Sequence, residues 1–223
     1  MTTLQEQDDE ALFAAMAVRA RQLLAVGVTT ARDLGDRNGL AVRLAQDIEQ
    51  GSAVGPRLVP ATTPVTPPGG HCWFLGGEVS GPDEVRRLVR GNAESGARVI
   101  KVMATGGGLT KGGAASWESQ FSEEELAALV DEAHRAGLPV AAHAHGADGI
   151  AAVGRDGDRG GQAVRGGRQH AVGEGELFSS PRTGLRPWPV AGCRPPDRRS
   201  TRGWAWAADP ILVWQARRWQ HRW

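Results

Sequence analysis

Four short apolar runs, each following a helix-like pattern, are the feature of residues 1 to 150 that most restricts the fold. Ala11 to Val26 places Leu12, Ala15, Met16, Leu23 and Leu24 near helical spacing. Gly27 is a stop, since glycine takes the left-handed conformation at a helix end without a Cβ clash. Val28 to Ala31 reads as a strand that delivers Arg32 and Asp33 to its C-terminal end. Asn38 is predicted to cap a helix through Glu49, and Gly51 to Pro56 returns the chain to a strand at Leu58 to Ala61. Pro82, Asp83 and Glu84 suit the first turn of a helix with Val85, Leu88, Val89 and Ala93 on its apolar side. Gly96 ends it before a strand at Arg98 to Met103. Ser122 and Glu125 form a capping box, Leu126, Leu129, Val130 and Ala133 form the buried stripe, and Leu138 to Ala142 is the next strand. Gly146 is predicted to start a further helix through Ile150.

Strands separated by helices of this length imply a parallel sheet with right-handed crossovers. A doubly wound sheet and part of an eight-stranded barrel both satisfy that order, and both put ligand sites beyond the C-terminal strand ends. Four strands cannot close the barrel. The stretch from Thr62 to Gly77 is too rich in Pro and Gly for regular structure and is expected to be a long loop.

The charge changes sign along the chain. Residues 1 to 150 carry a net charge of -6, whereas residues 151 to 223 hold 13 Arg, no Lys, 6 acidic residues and six of the eight tryptophans. Residues 153 to 223 are therefore expected to be an Arg/Gly/Pro/Trp-rich tail, disordered or frameshifted, because arginine without lysine is what a GC-rich coding region gives in the wrong frame. An authentic tail of this kind could contact phosphates and stack on bases, but it lacks a recognisable RNA-binding or zinc-finger motif, so nucleic acid is not an expected partner. Ala205 to Arg218 could form a short helix. Cys72 and Cys193 fall in unlike halves, and a reduced, cytoplasmic setting is the expectation. Met1 to Glu10 has no secretory pattern, and no apolar run approaches the roughly 20 residues that span a bilayer, so no membrane partner is expected.

Lys101 interrupts the apolar strand Val99-Ile100-Lys101-Val102-Met103. It is either a partly buried lysine reaching solvent or an anion by its stem, or an amine carboxylated by carbon dioxide and so able to bridge metal ions. His143 and His145 lie two apart and share one face if the strand continues through them. Neutral imidazole suits a zinc-like divalent ion. A structural pair competes with this, and one ligand beside one substrate-contacting neighbour is favoured. Gly106-Gly107-Gly108 could cradle an oxyanion or be a plain turn; it is not a phosphate-binding loop, since Gly112 follows Lys111 where that motif needs Ser or Thr. Trp117 and Glu118 could line a pocket or sit on the surface. Asp33 could orient a ligand or pair with Arg32. His71, in the long loop, could touch substrate or face solvent, and His134 needs no functional account.

The ordered segments Gly27-Val28-Thr29-Thr30-Ala31-Arg32-Asp33-Leu34-Gly35, Gly55-Pro56-Arg57, Gly69-Gly70-His71, Ile100-Lys101-Val102-Met103-Ala104-Thr105-Gly106-Gly107, Phe121-Ser122-Glu123-Glu124-Glu125-Leu126 and Gly137-Leu138-Pro139-Val140-Ala141-Ala142-His143-Ala144-His145-Gly146 resemble the amidohydrolase superfamily. The similarity is to its imidazolonepropionase-like branch and related dipeptidases acting on N-acylated or proline-containing dipeptides. It covers roughly residues 20 to 150. It implies an α/β fold, an incomplete (β/α)8 TIM-like barrel with strands two to five recognisable, over residues 1 to 152. It further implies that Lys101 is the carboxylated bridging lysine of the fourth barrel strand and His143 the metal-ligating histidine of the fifth. Both would then be catalytic and metal-binding, with His71 and His145 near substrate. The cofactor implied is a divalent metal, zinc, and the partner a small amide or dipeptide substrate.

The family's first-strand His-x-His pair has no counterpart here. His170 lies near the spacing of the sixth-strand histidine without an apolar strand before it, and Asp209 is in the wrong context for the late catalytic aspartate. The expectation is a metal-dependent hydrolase of carbon–nitrogen bonds in small substrates. The alternatives are a catalytically inactive fragment, and a non-enzymatic binding module whose basic tail contacts nucleic acid or protein. An unclosed barrel also exposes strand edges that invite self-association.

Overall fold

A computed structural model describes residues 7–111 and 113–145, and the backbone of residues 176–179. Helix α1 spans Asp9–Ala25, opened by the Asp8 side chain, which accepts the Ala11 N–H at 2.7 Å. Gly27, at φ 87°, turns the chain out of the helix. Strand β1 is Thr30–Asp33, two residues later than the apolar pattern predicts. Val28 still bonds back to the Leu23 carbonyl and packs in the core beneath α1, so it belongs to the helix exit.

Helix α2 is Leu40–Glu49, and its cap is not Asn38. Asn38 and Gly39 both have positive φ, and the Asn38 amide donates to Asp9 Oδ2 at 2.7 Å. The Asp36 carboxylate instead accepts the Ala41 N–H in the first turn. Strand β2, Arg57–Pro60, pairs in parallel with β1, Ala31 opposite Leu58 and Asp33 opposite Pro60.

The stretch expected to be a long loop contributes to the sheet. Val65 donates its N–H to the Lys101 carbonyl at 2.8 Å and accepts the Met103 N–H at 2.9 Å, and a 3-10 turn forms at Trp73–Leu75. Helix α3, Pro82–Glu94, leads to β3, Ile100–Met103. Helix α4, Glu123–Arg135, starts with the predicted capping box, and β4, Val140–His143, pairs in parallel with β3. Strand β5, Glu176–Ser179, then pairs antiparallel with β4, which departs from the expected all-parallel order. The open edge of β4 offers unpaired backbone groups to either strand direction.

Helices α1 and α2 bury Leu12, Met16, Ala20, Leu40 and Leu44 against Ala31 and Leu58. Helices α3 and α4 bury Val85, Val89, Leu126, Leu129 and Ala133 against Ile100, Val102, Val140 and Ala142. Each fully buried Val or Leu contributes about 1.5–3 kcal/mol. Leu34, Ala61, Val99 and Ala141 form a separate small cluster, with Val59 packed against it. The described strands do not close a barrel. The helix expected after Gly146, Cys193, His170, Asp209, the helix expected at 205–218 and the tail expectation for 153–223 lie outside the described residues, residues 176–179 apart. Among the described residues no helix is long and apolar enough to cross a membrane.

Candidate functional site

Strand alternation divides β3 and β4 between two faces. Ile100, Val102, Val140 and Ala142 face α3 and α4, so Lys101, Met103, Ala141 and His143 share the opposite face. Lys101 is 2% exposed, far below what a lysine reaching solvent by its stem would show, and His143 is 8% exposed. All of β3 is buried, Ile100 and Val102 under α3 and α4 and Met103 against Cys72 and Leu75.

The His143 ring fixes its own tautomer. Its Nε2 lies 3.2 Å from the Gly106 carbonyl, an acceptor, so Nε2 carries the proton and Nδ1 keeps a lone pair. His71 stacks on it with ring centroids 4.5 Å apart and planes at 16°, and His145 meets it edge-on at 4.6 Å. Burial above all, then the charges of His71, Lys101 and His145, push the His143 pKa down to about 3, against the Gly106 hydrogen bond. The ring is therefore neutral near pH 7 and is a lone-pair donor. The His145 N–H donates to Thr105 Oγ1 at 3.2 Å, which ties this histidine to the loop after β3.

His71 is not a solvent-facing loop residue. Gln120 Oε1 accepts its N–H at 3.0 Å and Thr66 Oγ1 donates to its carbonyl at 2.9 Å. Beside it, a cleft of about 240 Å³ opens between Pro67, Pro68 and Gly70 on one side and Thr110, Ser119 and Gln120 on the other. His71, His143 and His145 thus meet at the C-terminal end of β4, and Lys101 lies on the same face of the neighbouring β3, opposite Ala141. Gln120 and Thr66 carried no sequence signal, because their role lies in contacts with a distant loop.

Three expectations change. The glycine-rich loop does not cradle an oxyanion with its first two amides: Gly106 N–H donates to Glu118 O at 3.2 Å and Gly107 N–H to Thr110 Oγ1 at 2.9 Å. Trp117 is 65% exposed, and Glu118 accepts the Ala115 N–H, so this pair closes a surface turn. Asp33 shares the face of Ala31, which packs under α1 and α2, and belongs to the two-stranded β1–β2 sheet, separate from the β3–β4–β5 sheet that carries Lys101 and His143. It accepts the Gly35 N–H at 3.1 Å, and burial first, then the nearby Asp36 charge, raise its pKa to about 8. Burial likewise raises Asp36 to about 6. Asp33 Oδ2, Asp36 Oδ1 and Thr62 Oγ1 are buried without a hydrogen-bond partner among the described residues.

A divalent metal is implied by the fold family, and the donors present fit it in part. His143 Nδ1 has the lone pair of a ligand and its other nitrogen is held by a carbonyl, the usual outer partner of a metal-bound imidazole. Lys101 is buried on the same face. Among the described residues no group of three His, Cys, Asp or Glu is placed to hold a metal.

The Amidohydrolase family profile matches residues 2–165. The ochratoxinase of Aspergillus niger is 34% identical over 152 residues, 57% of this chain and 31% of that protein. A crystal structure of a Xaa-Pro dipeptidase with bound methionine in the active site is 32% identical, with a TM-score of 0.64 over 67% of this chain and 40% of that one. The A. niger ochratoxinase structure is 30% identical, with a TM-score of 0.61 over 68% of this chain and 40% of that one. The chain thus spans about a third of the length of the curated relative it matches. Such neighbours imply a TIM-barrel-like α/β fold, of which the described helices and short parallel strands are a part. The chain belongs to the amidohydrolase family.

Proposed function

We propose that this chain carries the Lys101–His143 share of a metal-assisted hydrolase that cleaves carbon–nitrogen bonds in small amide or dipeptide substrates. The observation that carries the reading is the buried, neutral His143, its Nε2 proton committed to Gly106 and its Nδ1 lone pair on the same sheet face as Lys101. Relatives that include an ochratoxinase and a Xaa-Pro dipeptidase support the class of bond. His143 and Lys101 hold the ion in this reading. Carboxylation of Lys101 first takes its ammonium to the neutral amine with loss of one proton, then forms an N–C bond to carbon dioxide with loss of a second, and so replaces a charge that repels protonated His143 with an anionic ligand. When bound, a divalent ion, zinc in the first instance, polarises the scissile carbonyl and acidifies water. His143 keeps its proton on Nε2, and His71 and His145 flank it, placed to orient the substrate. The cleft beside His71 receives a small side group. Residues 1–152 act as the barrel segment, and 153–223 as a tail that adds β5 to its sheet.

Metal content of the purified chain, with hydrolysis of N-acyl amino acids and Xaa-Pro dipeptides, tests the reading. Metal uptake and hydrolysis that Lys101→Met and His143→Gln each abolish support it. Hydrolysis unchanged in both variants overturns it. A second reading, that the isolated chain binds but does not turn over substrate, is favoured by the two donors found where catalytic zinc sites take three protein ligands.

A further inference from the structure

The main chain of His71 is gripped from both sides, by the side chain of Gln120 from a distant segment and by that of Thr66 within its own loop. Gln120 Oε1 takes its N–H and Thr66 Oγ1 its carbonyl. Gln120 is itself anchored, because its Nε2 donates to the Met103 carbonyl at 2.8 Å and its own N–H donates to Ala104 O at 2.8 Å. It therefore spans from the end of β3 to the His71 loop. On the ring side, a Cβ added to Gly107 would stand 2.4 Å from His71 Cε1 and Nδ1, so the ring lies in a notch that glycine leaves open. Thr66 is held in turn, since its N–H donates to Gly77 O at 3.0 Å and its carbonyl accepts the Val79 N–H at 2.9 Å. Water would satisfy the backbone of an ordinary surface loop. Here two anchored side chains do so, and a third position is emptied to admit the ring.

We infer that Gln120 is a positioning residue of this centre: by holding the His71 N–H it sets the His71 ring parallel to His143, in the notch left by Gly107. The purpose assigned to the stack rests on the functional reading above; the dependence of the stack on Gln120 rests on geometry. Gln120 also walls the cleft between Pro67 and Thr110. A group that enters the cleft therefore touches the residue that holds the histidine.

The test uses the full chain labelled at its six histidines, reading the ring-to-ring NMR cross-peak of His71 and His143, with His134 on α4 as reference. Gln120→Leu, which removes the acceptor at similar size, is expected to abolish the cross-peak and leave the His134 signals in place. Gln120→Ala removes the same acceptor without adding a branched chain and is expected to abolish it too. Gly107→Ala fills the notch and is expected to abolish it. A cross-peak that survives Gln120→Leu or Gln120→Ala overturns the inference. Should Gln120→Leu not fold, Gln120→Ala decides: a stack lost with the His134 signals in place supports the inference, and a stack kept overturns it. Because stacking is read without turnover, an intact stack in a chain that hydrolyses no amide counts against the proposed function alone.

Discussion

The C-terminal ends of β1 and β4 both bury ionisable groups, in separate sheets and with opposite chemistry. Asp33 and Asp36 lie at and just after the end of β1 toward α1 and α2, where burial favours the protonated form of both and the Asp36 charge adds to the rise at Asp33. His143 and its neighbours lie opposite the cover of α3 and α4, where burial favours the unprotonated imidazole. Low polarity drives both ends toward neutrality. The consequences differ because a neutral carboxyl becomes a proton donor, whereas a neutral imidazole exposes a lone pair. Near pH 7 the histidine end is thereby ready for an electrophile. The acid end holds oxygens without partners, each costing about 1–3 kcal/mol if left so.

The largest effect expected from this contrast is at Asp33. Its folded pKa, about 8, lies above the unfolded 3.8, so its contribution is complete below 3.8 and lost as pH rises through about 8. The slope for one such group is up to about 1.4 kcal/mol per pH unit. Between pH 6.5 and 8, above the Asp36 and His143 ranges, urea unfolding should show stability falling with pH, and Asp33→Asn should flatten the fall. An equal fall in the variant would break the comparison.

His143 should act with the opposite sign and over a slightly narrower window. Its folded pKa, about 3, lies below 6.5, so its contribution is present above 6.5 and lost as pH falls through about 3. Below the ordinary carboxylate range the acid end is protonated in both states, and the remaining acid-side loss is shared by His143 with Asp9 and Glu125, whose pKa values are lowered. His143→Gln should remove the histidine share, again up to about 1.4 kcal/mol per pH unit.

Lys101→Met sharpens the histidine end by itself. The swap leaves an apolar chain at a 2% exposed position, and replacing a buried charge by an apolar group of similar volume is often neutral or stabilising. The fold should persist, and the His143 titration measured by NMR should move up toward 6.5, since one of its repelling charges is gone. An unchanged titration would remove Lys101 from the cluster. The smallest effect belongs to a position outside both ends: Glu125→Ala loses the capping box and the bond to Gly81 N–H. It should cost about 1 kcal/mol, equally at pH 5 and pH 8 in thermal melts.

Much of the fold was legible because it is written in short windows. The Ser122–Glu125 box, Pro82 in the first turn of α3 and the stripe of α4 all depend on residues within four positions of each other, and each is found as predicted. Asn38 misled for a related reason: a good capping residue followed by a helix pattern says nothing of Asp9, which captures its amide from 29 residues away. The strand starts slipped by one or two residues because apolar pattern does not show where helix-exit bonds end. At the site, Lys101 and His143 were legible as polar residues in apolar strands, whereas the meeting of His71 with His143 was not.

The sequence alone determined the four described helices, the Ser122–Glu125 cap, the four short parallel strands of the family pattern to within a residue or two, and the polar residues at their ends, because local hydrogen bonds and periodicity act within a turn or two. Tertiary structure decided which face Asp33 occupies, that Val65 joins the sheet, that β5 runs antiparallel to β4, and that Gln120 reaches His71. Those outcomes depend on register and burial between segments tens of residues apart, where the energy of each contact exists only once the other segment is in place.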